Sequence, residues 1–192
     1  MKVSKISAFF SRGTGHVSRA IAYASAPIGK TLRRELSTVP SHGGLKIDFD
    51  GEQPAAAAEA HLQTDWQIIP WQEISDKRQS DPKRGLWLVA LDFEAWQRQA
   101  IWDRCNYQLG MWDYNAMQIL ALYAWRRGFK KPAKSYKVDC TEAVSRILYP
   151  FMDCKALAGV DRHDTVTPWN LFSGFKNEGY EIDLIDSAEN KQ

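Results

Sequence analysis

Lys137-Val138-Asp139-Cys140-Thr141-Glu142-Ala143-Val144-Ser145-Arg146-Ile147-Leu148 is the stretch on which the reading of this chain turns. Ala143, Val144, Ile147 and Leu148 recur at helical spacing and Pro150 stops the run, which predicts a helix over 139–148. Cys140 then stands in the first turn. Unpaired N–H groups and the helix dipole favour a thiolate there, and the same N–H groups can receive an oxyanion. A small buried residue filling space at a helix start is the structural alternative.

A thiolate nucleophile needs an imidazole to share its proton and a third polar group to orient the ring. The chain has four histidines. His16 heads the segment Val17, Arg19, Ile21, Tyr23, whose alternation with Ser18, Ala20 and Ala22 predicts a strand, and this makes it the preferred base. His42 lies in a Gly-rich stretch, His61 follows an alanine run, and His163 lies in the polar segment Asp161-Arg162-His163-Asp164.

Around these residues the chain divides unevenly. Positions 25–54 collect Pro27, Gly29, Pro40, Gly43, Gly44, Gly51 and Pro54, which predicts loops and short pieces. Residues 55–62 and 66–69 suit extended structure, 75–84 a charged loop, and 85–92 a buried strand. Asp92 is placed to cap a helix that runs to Leu109 and ends at Gly110. A further helix is expected over 114–127, and loops with one late strand, 180–185, make up the last forty residues.

Composition bounds the class. The 192 residues are 44% hydrophobic and 25% charged, which describes a folded domain and excludes a collagen-like or wholly disordered chain. Cys105, Cys140 and Cys154 form no Cys-x-x-Cys pair, so neither a disulfide framework nor a zinc ribbon follows, and no cofactor or metal is expected. Eight Lys or Arg stand against one acid, Glu35, from Met1 to Lys46, while five acids and one Lys follow Lys176. The net charge of +2 gives no reason to expect nucleic acid as a partner. The first 37 residues are Arg- and Ser-rich like a transit peptide, yet they hold the His16 segment of the fold. No signal peptide or membrane-spanning run is evident. The expected organisation is a domain over 1–175 with an acidic tail over 176–192.

Four blocks carry a resemblance: Ser4 to Ile21, Ala57-Ala58-Glu59-Ala60-His61-Leu62, Gln99 to Tyr114, and Asp139-Cys140-Thr141-Glu142-Ala143-Val144, with Thr167-Pro168-Trp169-Asn170-Leu171 as a looser fifth. In that order they resemble the permuted NlpC/P60 papain-like cysteine hydrolases, among them forms encoded by bacteriophages. The resemblance implies an α+β fold in which an antiparallel sheet packs on a helix bearing the cysteine at its N-terminus. It implies Cys140 as nucleophile, His16 as base and Glu59 as orienting residue, with His61, two positions along the same strand face, as rival to Glu59. The implied activity is cleavage of amide bonds through an acyl-enzyme, with a peptide or peptidoglycan-like substrate. A virion or binding protein on the same fold is the non-catalytic alternative, and with no signal peptide evident the resemblance implies a host cytoplasm or a phage virion as the location. The chain departs from many relatives in having Thr141 after the cysteine and a long insertion over 24–54.

A nucleotide-binding reading competes. Ala24-Ser25-Ala26-Pro27-Ile28-Gly29-Lys30-Thr31 fits a relaxed phosphate-loop pattern and Leu88-Val89-Ala90-Leu91-Asp92 resembles its magnesium-associated companion. Pro27 within the loop and the helical character of 93–148 both oppose it, since that fold needs a close-wrapping backbone and several βα crossovers.

Overall fold

Val3-Ser4-Lys5-Ile6-Ser7-Ala8-Phe9-Phe10-Ser11-Arg12 forms the central strand β1 (Val3–Arg12) in the computed structural model, which describes residues 1–26, 38–61, 65–81, 84–113, 121, 124, 125, 128, 130 and 137–185. β1 lies between β2 (His42–Phe49) and β5 (Gly85–Leu91); beyond β2 come β3 (Ala56–His61) and β4 (Asp65–Pro70), and β6 (Ile182–Leu184) closes the other edge. Every pairing is antiparallel, so the sheet runs β4-β3-β2-β1-β5-β6.

The strands are apolar on both faces because both are covered. Ile6, Ala8, Phe10, Leu45, Ile47, Ala58, Ala60, Val89 and Leu91 share one cluster with Val144, Ile147 and Leu148 of α4 (Cys140–Leu148). Ile101, Trp102 and Cys105 of α3 (Ala95–Tyr107) and Leu171, Phe172 and Phe175 of α6 (Pro168–Asn177) complete it. Phe9, Ala57 and Leu86 face the other way and meet Ile74 and Trp71 of α2 (Trp71–Gln79). Each large apolar side chain so buried contributes about 1.5–3 kcal/mol. The architecture is therefore α+β, with six antiparallel strands and six helices among the described residues, α1 (His16–Ser25) and the short α5 (Cys154–Leu157) being the other two.

Several expectations are corrected. The segment after His16 is helical, not a strand: three alanines favour a helix, and Ala22 and Ser25, three apart, form its buried face while Val17 is 59% exposed. Part of the expected 75–84 loop belongs to α2, which buries Ile74 and Ser75. The loop region 25–54 contains β2, because Leu45, Ile47 and Phe49 alternate inward despite Gly43 and Gly44. The last forty residues hold α5, α6 and a 3₁₀ turn, His163–Thr165; Thr167 caps α6 by accepting the Asn170 N–H at 3.2 Å, and Pro168 takes the first turn. The cap of α3 is Glu94 rather than Asp92, in a capping box with Gln97. The strands expected over 55–62, 66–69, 85–92 and 180–185 are β3, β4, β5 and β6, so the fold continues past residue 175. Most of the helix expected over 114–127 lies outside the described residues.

Candidate active site

Asp139 holds the start of α4. Its Oδ1 accepts the N–H groups of Thr141 at 2.9 Å and Glu142 at 2.8 Å, satisfying two of the donors that a helix start leaves open. The Thr141 hydroxyl lies 3.0 Å from the Val166 carbonyl and ties this turn to the chain leading into α6. Cys140, only 2% exposed, is thereby fixed as the first helical residue.

β2 meets that helix start closely. A Cβ on Gly43 would come within 2.9 Å of Thr141 Cγ2, so a larger residue there would push α4 away. The residue before Gly43 is His42, first in β2, with its side chain 19% exposed. Cys140 stands close enough to His42 for its charge to act on the imidazole. The Nε2 of the His42 ring stands 2.7 Å from Glu59 Oε2. Glu59 is buried on β3 opposite Gly44 and Gln67, and its second oxygen accepts a 2.9 Å hydrogen bond from Gln67 Nε2.

The electrostatics follow from these contacts. Burial by itself would lower the His42 pKa, but the charges of Cys140 and Glu59 and the Glu59 hydrogen bond outweigh it and raise it to about 10. Burial would raise Glu59, yet the charge and hydrogen bond of His42, the Gln67 donor and the charge of His61 hold it at about 2. The stability carried by Glu59 is thus present above its ordinary 4.5 and lost as pH falls through about 2. That carried by His42 is present below 6.5 and lost as pH rises through about 10.

The structure brings together two of the three residues anticipated, Cys140 and Glu59, and puts His42 between them. His16 is not part of this group: it is the exposed first residue of α1. His61 lies edge-on to His42 with ring centroids 6.2 Å apart, but the hydrogen bond to Nε2 comes from Glu59. Burial, then the charge of His42, lowers the His61 pKa. His163 sits elsewhere, its Nδ1 2.7 Å from Ser145 Oγ. The alternation of Leu45, Ile47 and Phe49 directly after His42 is the signal that could have placed this histidine at the head of a strand.

The other thiols provide a contrast. Cys154 also begins a helix capped by an aspartate, yet burial and the Asp153 charge push it up to about 12. Burial does the same to Cys105, outweighing the Arg104 charge. Of the three thiols, Cys140 is the one beside the His42 imidazole.

A second polar group lies along α4. Glu142 Oε1 accepts from Arg146 at 2.5 Å, and Arg162 pairs with Asp164 through two 2.7 Å contacts. Burial first, then the Asp139 and Asp164 charges, raise Glu142 to about 8 against the pull of Arg146. The native state thus keeps a proton that the unfolded chain releases above 4.5, so this residue erodes stability as pH rises toward about 8. Glu142→Gln removes that titration. The melting temperature of the variant minus that of the wild type is expected to rise between pH 5 and pH 8 by at least about 2–4 °C, the shift that about 1 kcal/mol gives at this chain length, measured by thermal scans; a constant difference would contradict it.

Among the described residues, no cluster of three or more His, Cys, Asp or Glu is arranged to hold a metal ion, and no helix is long and apolar enough to cross a membrane. Gly29, Lys30 and Thr31 of the phosphate-loop pattern lie outside the described residues. No protein-family model matches the chain, and no curated protein matches it.

Proposed function

We propose that this protein is a cysteine hydrolase that cleaves amide bonds through an acyl-enzyme, on a circularly permuted papain-like fold of the NlpC/P60 type. The observation that carries the reading is the chain of contacts Cys140–His42–Glu59, a thiol at a helix start joined to an imidazole that a buried carboxylate orients. The residues keep the order base, orienting acid, nucleophile along the chain. With His42 as base, the first two are 17 residues apart, and the long insertion that His16 required disappears.

The Cys140 thiolate attacks the amide carbonyl carbon while His42 carries the proton. Asp139 occupies the N–H groups of Thr141 and Glu142, which leaves the Cys140 N–H as the helix-start donor for the oxyanion. The tetrahedral intermediate collapses as the C–N bond breaks and His42 protonates the leaving amine. Water, deprotonated by His42, then attacks the thioester, and the acid leaves as the S–C bond breaks. Glu59 keeps the ring aligned and stabilises the imidazolium throughout. The substrate class proposed is peptide, with bacterial cell-wall peptide foremost.

Incubation with peptide amides and solubilised cell-wall peptides, followed by mass spectrometry, tests this. New amine and acid termini are expected with the wild type and none with Cys140→Ala. Absence of turnover on every amide would favour a non-catalytic binding role on the same fold.

A further inference from the structure

Two neighbours hold Glu59 at once. Its Oε2 stands 2.7 Å from His42 Nε2 and its Oε1 accepts a 2.9 Å hydrogen bond from Gln67 Nε2, so both oxygens of a carboxylate only 2% exposed are committed. Gln67 stands opposite Glu59 in the pairing of β3 with β4, and β4 is an edge strand of the sheet. Register puts the amide there. Trp66 is buried on one face of β4, where its Nε1–H donates to the Cys105 carbonyl of α3 at 2.9 Å, and successive residues of a strand face opposite sides. Gln67 therefore comes out on the face that carries Glu59.

A primary amide suits this place. The last torsion of a glutamate is broad, so a carboxylate held by one oxygen alone can turn and carry that oxygen off the imidazole. Gln67 Nε2 can only donate and bears no charge, so it holds Glu59 as an acceptor at every pH without competing with the imidazolium for it. The titratable groups that act on Glu59 are His42 from β2 and His61 from its own strand, and α2 brings the Lys77 charge to bear on His61. His61 could not do the same work as the amide. Its charge changes with pH, and burial, then the charge of His42, favours its neutral form.

We propose that Gln67 is a positioning residue of the active site: by tying Glu59 Oε1 it keeps Oε2 on the His42 ring, and through that ring it sets how far Cys140 is held as the thiolate. This role rests on Cys140 as nucleophile and His42 as base, as argued above. The edge strand β4 thereby bears on the chemistry through Glu59.

Iodoacetamide alkylation of the full chain, resolved by peptide mapping and followed from pH 5 to pH 8, separates this role from a structural one. The S–C bond forms as the C–I bond breaks and iodide leaves, so the rate follows the thiolate population of Cys140. Gln67→Met keeps the length of the side chain and removes the donor. A hydrogen bond to a charged group shifts an equilibrium by about tenfold or more, and the part passed on through His42 is expected to slow Cys140 by about three- to tenfold. Gln67→Glu supplies the donor as a proton: its carboxyl, kept protonated beside Glu59 at pH 5, still donates, and once ionised it faces Glu59 as a like charge. The ratio of its rate to that of the wild type is expected to be close to unity at pH 5 and to fall by about three- to tenfold towards pH 8, a dependence that a structural role would not produce. Cys105 and Cys154, both buried, report the fold in the same samples and should stay slow. If Gln67→Met releases them, the Gln67→Glu ratio decides. Wild-type rates in both variants at every pH, or a Gln67→Glu ratio that does not change with pH, would overturn the role of Gln67 and leave the nucleophile standing. Labelling of wild-type Cys140 no faster than Cys105 and Cys154 would overturn both.

Discussion

Replacing His42 by alanine is expected to slow turnover at Cys140 by about 10²–10⁴-fold, the range for loss of a positioned acid–base group, while His16→Ala leaves it unchanged. The difference follows from position. His42 lies between the Cys140 thiol and the Glu59 carboxylate, with its second nitrogen fixed by the 2.7 Å contact to Glu59. His16 is exposed at the start of α1 and has no place in that relay. The loss should fall on acyl transfer, so single-turnover rates with an activated ester should show it directly. Equal rates for His42→Ala and wild type would remove the imidazole from the mechanism, and a large loss in His16→Ala would return the role to that residue.

Phe10→Ala is the substitution expected to cost most stability, about 3–5 kcal/mol. Phe10 is 1% exposed on the central strand, opposite Gly43 of β2 and Trp87 of β5, and its ring meets Phe172 at 5.3 Å and Phe175 at 6.2 Å, both edge-on. It joins the sheet to α6 and lies 3.5 Å from the Cβ position of Gly43, the residue against which Thr141 packs. Truncation therefore opens a cavity where three elements meet, and the sheet has no neighbour free to fill it. Urea titration should show a lowered midpoint with little change in slope. Val17→Ala, at a side chain 59% exposed, should stay within about 0.5 kcal/mol of wild type and serves as the control.

The strongest elements of the fold were legible in local pattern. The apolar run of β5, the stripe of α4, and the extended character of β3 and β4 all stand where periodicity put them. Cys140 was singled out because its helix has a clear local signal, whereas Glu59 came from the resemblance, with His61 as its rival. His42 was not, because Gly43 and Gly44 read as a turn, whereas in the structure they are strand residues kept small by the approach of Thr141 to one and of the Phe9 ring to the other. His16 was favoured because the alternating segment that follows it, up to Tyr23, also fits a helix with Ala22 and Ser25 on its buried face. Close approach between distant segments left no local trace at either position.

Iodoacetamide labelling of the three cysteines at neutral pH, resolved by peptide mapping, tests the central assignment most directly. All three are free thiols buried in the fold, so burial alone predicts uniformly slow reaction. With the imidazole of His42 beside it, Cys140 should be modified much faster than Cys105 or Cys154, and His42→Ala should abolish that advantage. Equal, slow labelling of all three in the folded wild type would contradict an activated thiolate at Cys140.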